Sequence, residues 1–324
     1  MQVIASAPGK TILFGEHAVV YGKPAIAMAL SKRAQIKVSG RTDENIHVNI
    51  RDLGIEGLIN LRENSIISDS PKKGIFKYVL SAVKKVHRLS GLDICIDVNV
   101  PIGGGLGSSA AVTVALIAAV SKFNNMDLEK KEIARLAHEV EIEVQKSASP
   151  LDTTISTYGG LIYLEKDAKG IVPLNINHKI PVVIGYTDSR GDTAKLIEDV
   201  KLKRKRYPET IDTLINLIES VTYEAKEAIL NNDKKRIGEL MNINHGLLDA
   251  LGVSTLELSN MVYAARNAGA WGSKITGAGG GGSIISYCPE RIEEVENTLK
   301  KSESAFIADI SKEGVEANIY NEVE

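Results

Sequence analysis

The 324-residue chain has only two cysteines, Cys95 and Cys288. Two are too few for a disulfide framework, and Cys95 lies in an alternating apolar run where a reduced, buried thiol is expected. No sign of charge is in excess: 39 Lys and Arg face 41 Asp and Glu, a net charge of −2. A dedicated nucleic-acid binder carries a basic surface as its electrostatic footprint, so that class is excluded. Long hydrophobic runs are missing as well. The most apolar stretch, Ala110 to Val120, is about half the roughly 20 residues that a membrane-spanning helix needs. The first residues carry no basic lead and no cleavage site, and Lys10 interrupts their apolar run, so a cytoplasmic protein without a signal peptide or membrane is expected. Repeats and low-complexity tracts are absent too. What is present, 44% hydrophobic and 25% charged residues, is ordinary for a globular protein. At roughly 100–200 residues per domain, the length suggests two.

Strand-like runs dominate the first hundred residues: Met1 to Ser6, Ala34 to Ser39, Ile46 to Ile50 and Leu92 to Val100. In the last, Ile94, Ile96, Val98 and Val100 alternate with Asp97 and Asn99, a period of two. Residues 74–89 carry an apolar stripe at helical spacing. Helices are expected from Ser108 to about Phe123 and from Asn125, with Asp127 as N-cap, to about 146. Pro150 ends that region, with loop over 153–158 and strand over 160–164. After a strand at 182–187 the character changes to long helices, roughly 193–206, 208–231, 233–250 and 254–268. A strand at 283–287, a helix at 289–301 and strands at 304–310 and 314–319 follow. Strands and helices mix without a regular βαβ rhythm, so the class is α+β with mixed sheets and a helical C-terminal part. The boundary is expected near 180, giving domains 1–180 and 181–324. The basic run Lys201, Lys203, Arg204, Lys205 and Arg206 reads as a solvated helix face.

Three glycine-containing segments carry chemistry. The central one comprises Pro101, Ile102, Gly103, Gly104, Gly105, Leu106, Gly107, Ser108, Ser109 and Ala110. Its glycines allow close approach of backbone to a ligand, and a helix beginning directly after them offers free N–H groups to an anion. A Walker A loop needs a Lys before the Ser, which is not there, so this is an anion loop of another type. The C-terminal segment Thr276 to Gly282 contains Gly-x-Gly-x-x-Gly but leads into a strand rather than a helix, so a dinucleotide reading fails its required context. The N-terminal segment Ala7 to His17 holds Lys10 among apolar residues, costly to bury unless something anionic meets it.

Together, in order and separation, these segments resemble the three motifs of the GHMP kinases, ATP-dependent small-molecule kinases, over nearly the whole chain. Gly15-Glu16-His17-Ala18-Val19-Val20-Tyr21-Gly22 and Lys274 to Gly282 are similar to the mevalonate kinase branch. The Thr-Asp-Tyr that usually follows Gly-Glu-His in galactokinases is absent, and homoserine kinases generally lack Gly-Glu-His. The resemblance implies transfer of the γ-phosphate of ATP to the 5-hydroxyl of mevalonate in isoprenoid precursor synthesis. The neighbouring alternatives are another GHMP kinase acting on phosphomevalonate, homoserine or a sugar, and a non-catalytic sensor of the same fold.

By that resemblance Asp152 is the catalytic base, although Leu151 and Thr153 depart from the usual motif. Lys10 would lie between Asp152 and the transferring phosphate. The loop from Pro101 to Ala110 would hold ATP, and Mg²⁺ would be held by Ser109 and an acidic residue. On a helical wheel Glu141 and Glu143 flank the apolar stripe on opposite sides, and periodicity does not choose between them; the family spacing chooses Glu141, with Glu143 as fallback. Glu16, His17, Gly277 and Ala278 would line the acceptor pocket with Lys10 and Asp152. Arg190 is the candidate cation for the mevalonate carboxylate, and Tyr21 and Thr193 are weaker candidates for the acceptor pocket. A homodimer is also implied.

Overall fold

The computed structural model describes residues 1–70, 74–87, 91–145, 149–189 and 191–320. The chain begins with β1 (Gln2–Phe14), β2 (Ala25–Gly40), β3 (Ile46–Ile50), β4 (Ile55–Asn60) and β5 (Ser65–Ile67). There follow α1 (Gly74–Val86), β6 (Leu92–Val98), α2 (Ser108–Phe123), α3 (Lys130–Gln145), α4 (Pro150–Tyr158), β7 (Leu161–Leu164) and β8 (Ile171–Pro173). The second half contains β9 (Val182–Tyr186), α5 (Thr193–Arg206), α6 (Pro208–Leu230), α7 (Lys234–Ala250), α8 (Leu256–Asn267), β10 (Gly272–Thr276), β11 (Ser283–Tyr287), α9 (Ile292–Leu299), β12 (Ser304–Ala308) and β13 (Glu316–Tyr320).

The class is α+β, built on two sheets. The first runs β13-β1-β2-β6-β3-β4-β5, antiparallel except for the β3–β6 pair. The long β2 splits its partners: residues 25–28 pair with β7, and residues 34–40 with β6. The second sheet, β10-β11-β9-β12, is antiparallel throughout. First-sheet strands thus run to residue 173 and second-sheet strands begin at 182. The last strand departs from a contiguous second domain, because β13 returns to pair with β1.

α2 is buried on every side from Ala110 to Ser121, which is why its sequence carries no amphipathic stripe. It packs against β1, β2, α1 and α3 as the centre of the first core. On the other face of the split sheet Ile12, Ala25, Ala27 and Ala29 pack with Leu151 and Ile155 of α4. That helix replaces the loop expected over 153–158. Pro150 occupies its first turn, where the missing N–H costs nothing, and the Ser149 side chain accepts from Leu151 N at 3.2 Å. β1 and β2 also extend beyond their expected ends, because segments buried on both faces show no alternation. α3 starts at Lys130, three residues past the expected cap.

Candidate active site

Lys10 reaches the site through a bulge. The β1–β2 register shifts between Pro8 and Lys10, and a bulge re-aims the side chain that follows it. The backbone of Lys10 donates to Leu106 O at 2.8 Å, tying β1 to the central loop. Gly107 makes room for the Lys10 stem: at φ +70°, a Cβ there would meet Lys10 Cγ at 2.7 Å. Gly103 and Gly105 also have positive φ. Because Gly107 is the N-cap of α2 it supplies no capping side chain, so the first amides of α2 are left for an anion. The buried Lys10 ammonium lies 3.2 Å from Asp152 Oδ1, which α4 presents from its first turn.

Glu141 and Glu143 separate cleanly. Glu141 is buried with the α3 stripe, and Ser109 Oγ donates to its Oε1 at 3.3 Å. Burial first, and the Asp152 charge second, push its carboxyl up to about 7, opposed by the Ser109 bond and Lys10. Glu143 is exposed and engages Ser81 and Lys85 of α1, so it faces away from Ser109. Lys10, Ser109, Glu141 and Asp152 therefore form one charged cluster at the start of α2.

The turn after β1 carries Glu16 and His17. His17 has φ 59° and ψ −45°, and Ala18 N donates to Glu16 O at 2.7 Å. Those are the marks of a γ-turn with positive φ, a rare and strained form. Burial holds the His17 imidazole below its ordinary value, so it is neutral near pH 7; the Ala278 bond and Glu16 oppose this, and Lys203 adds to it. Its Nε2 lies 2.9 Å from Ala278 O, and a carbonyl only accepts, so Nε2 carries the proton and Nδ1 is left as an acceptor.

Glu16 departs from its expected role of contacting an acceptor. It is 1% exposed; its Oε1 is ion-paired to the equally buried Lys274, and Asn244 Nδ2 donates to Oε2 at 3.1 Å. Both carboxylate oxygens are already engaged by protein. Gly277 brings its backbone against Gly105, and Ala278 contributes its carbonyl to His17. Arg190 lies outside the described residues. Tyr21 sits under Arg204, whose guanidinium is 4.9 Å from the ring centroid. The basic run is thus not wholly solvated: Lys203 Nζ donates to Leu251 O at 2.7 Å, and its charge bears on His17.

Sequence reasoning assigned no role to Lys274, Asn244, Thr11, Thr276 or Ser283. Thr276 Oγ1 donates to Ile12 O at 3.0 Å and accepts from Ile12 N at 3.1 Å, with Thr11 Oγ1 3.0 Å away. Ser283 Oγ donates to Gly104 O at 2.8 Å. The third glycine segment is thereby fastened to the other two. A polar residue inside an apolar strand was the only local signal for Thr11 and Thr276, and Asn244 had none.

Comparison with known proteins places the chain in a family. Residues 75–160 match the family described as GHMP kinases N terminal domain, and residues 225–304 match GHMP kinases C terminal. A mevalonate kinase of Methanothermobacter thermautotrophicus is 46% identical over 97% of this chain and 100% of its own length. The crystal structure of the Methanococcus jannaschii mevalonate kinase superposes with TM-score 0.82 at 32% identity, covering 95% of this chain and 98% of that one. The L. major mevalonate kinase in complex with R-mevalonate has TM-score 0.82 at 25% identity, covering 94% of each chain.

Proposed function

This chain belongs to the GHMP kinase family, and from that premise we propose that it is a mevalonate kinase, moving the γ-phosphate of ATP to the 5-hydroxyl of mevalonate. The observation that carries the chemistry is the Lys10–Asp152 pair, 3.2 Å apart, beside the uncapped start of α2. Phosphoryl transfer passes through a loose transition state, so the protein mainly positions groups and neutralises charge.

In this reading the loop from Pro101 to Ala110 and the first amides of α2 cradle the phosphates. The Asp152 carboxylate takes the proton of the acceptor hydroxyl as its oxygen bonds to the γ-phosphorus and the bond to the β-phosphate oxygen breaks. General-base help of this kind contributes about 10²–10⁴ in rate. The Lys10 ammonium offsets negative charge on the phosphoryl oxygens. His17, neutral, accepts a hydrogen bond at Nδ1 from the acceptor, and Arg190 is assigned to its carboxylate.

The Ser109 hydroxyl and the Glu141 carboxylate are an oxygen donor pair of the kind Mg²⁺ uses with its waters and substrate phosphates. A buried carboxylate with its pKa raised to about 7 and a hydrogen bond from Ser109 fits a cation partner. When bound, the ion would supply charge neutralisation on the phosphates. A place in isoprenoid precursor synthesis follows from the acceptor. The homodimer and the cytoplasmic setting rest on the resemblance alone; among the described residues no helix is long and apolar enough to cross a membrane.

The test is ADP release with Mg-ATP and, separately, mevalonate, phosphomevalonate, homoserine and galactose. Turnover with mevalonate alone, reduced about 10²–10⁴-fold in folded Asp152→Asn, is the expected result. Turnover with a different acceptor would overturn the acceptor, and an unimpaired Asp152→Asn would overturn the base. ATP binding without turnover of any acceptor would favour a non-catalytic sensor.

A further inference from the structure

The reaction described above leaves the buried Glu16–Lys274 pair without a task. Both side chains are wholly inaccessible, and a buried ion pair is commonly no more stabilising than apolar residues of the same volume. Its place in the chain is specific. Glu16 immediately precedes His17, which carries the strained γ-turn. A non-glycine residue keeps such a backbone only where its surroundings over-determine it.

We propose that Glu16, Lys274 and Asn244 form a clamp that holds His17 in its strained γ-turn and so fixes the imidazole toward the acceptor. The three are positioning residues, and the proposal rests on the mevalonate kinase reading above. One segment grips the turn on both sides of the strained bond. Lys274 of β10 holds the Glu16 carboxylate, and four residues later the Ala278 carbonyl holds His17 Nε2 at 2.9 Å. Asn244, from α7, closes the clamp on Glu16 Oε2 at 3.1 Å. The turn cannot slide along the chain either. Gly15 has φ +99°, and a Cβ there would meet Pro24 O at 2.4 Å. On the far side Ala18 is fully buried, and Val19 N donates to Gly15 O at 3.0 Å. The strained residue and the residue that presents the imidazole are the same, so releasing the clamp would turn the ring away.

The experiment compares His17→Gly with His17→Ala by thermal melting without substrate, in the wild-type and in the Glu16→Gln backgrounds. Both variants lose the ring, but only glycine loses the positive-φ penalty. The glycine variant should melt about 2–4 °C above the alanine variant, and the gap should shrink by at least half once Glu16→Gln lets the turn relax. In Glu16→Gln with His17 intact, kcat/KM for mevalonate should fall about tenfold or more while KM for ATP stays within about twofold, a split that general loosening of the fold would not give. Should Glu16→Gln fail to fold, Asn244→Ala, which removes a neutral carboxamide and leaves the Glu16–Lys274 ion pair, takes its place with the same readouts. An alanine variant melting as high as the glycine variant overturns the clamp, as does unchanged kcat/KM for mevalonate in a folded clamp variant. Wild-type protein inert toward mevalonate would overturn the acceptor assignment, whereas the change in the melting gap on Glu16→Gln would still decide the clamp, an undiminished gap overturning it.

Discussion

Two positions apart on α3, Glu141 and Glu143 end in opposite environments, and this has a measurable consequence. Glu141 titrates near 7 in the folded protein against an ordinary value of 4.5. The folded chain therefore holds a proton that the unfolded chain releases, and stability falls as pH rises from about 4.5 to about 7. The whole difference is about 3 kcal/mol, from 1.36 kcal/mol per pKa unit. Glu141→Gln should flatten that slope and raise stability at pH 8, as urea unfolding at several pH values would show; an unchanged slope would assign it to other groups. The same variant should raise the Mg²⁺ requirement for turnover more than Glu143→Gln does, because Glu143 is already engaged by Lys85 on the surface. The reverse order would move the metal ligand to Glu143. Helical periodicity does not separate the two environments, since both residues flank the stripe; packing of α3 buries Glu141 and leaves Glu143 exposed.

At the scale of elements, α4 is where local reading of the chain and tertiary placement diverge. A proline after a helix reads as a stop, yet with Ser149 before it Pro150 begins the next helix. Ser149→Ala removes the cap and should cost about 1 kcal/mol, with a loss of kcat larger than the loss of ATP affinity, because α4 carries Asp152. Equal losses in the two would show that the cap matters only for stability. The central loop offers a second test. Gly107→Ala places a Cβ where Lys10 Cγ passes at 2.7 Å, in a backbone region that side chains rarely adopt. Displacing Lys10 by a fraction of an ångström should lower kcat/KM about tenfold or more; near-normal kinetics would show that the close fit of Lys10 to the loop is not required.

The whole molecule is held by threads that link its two sheets at the site itself. Thr276 of β10 bonds both the N–H and the C=O of Ile12 in β1, so Thr276→Val, of equal volume, strands both buried groups. The expected cost is about 1–3 kcal/mol, read as a lower urea midpoint with the unfolding slope unchanged. A wild-type midpoint would mean that water or a shifted strand replaces the hydroxyl. Away from the site β13 ties the two halves of the chain together, since residues 316–320 return to the first sheet beside β1. The sequence showed that strand but not its partner, because pairing across some 300 residues leaves no local trace.

From the residue pattern alone came the α+β class, the long C-terminal helices, the three glycine segments and the family they resemble. Each is local: alternation, helical spacing, caps, or glycines where φ must be positive. Tertiary structure decided the rest. It turned Glu141 inward and Glu143 outward, buried Glu16 against Lys274 and Asn244, made a helix of residues 150–158 and drew Lys203 toward His17. These outcomes depend on which face of one element meets another, and on charges that only become neighbours when water leaves between them. No window of sequence contains that information.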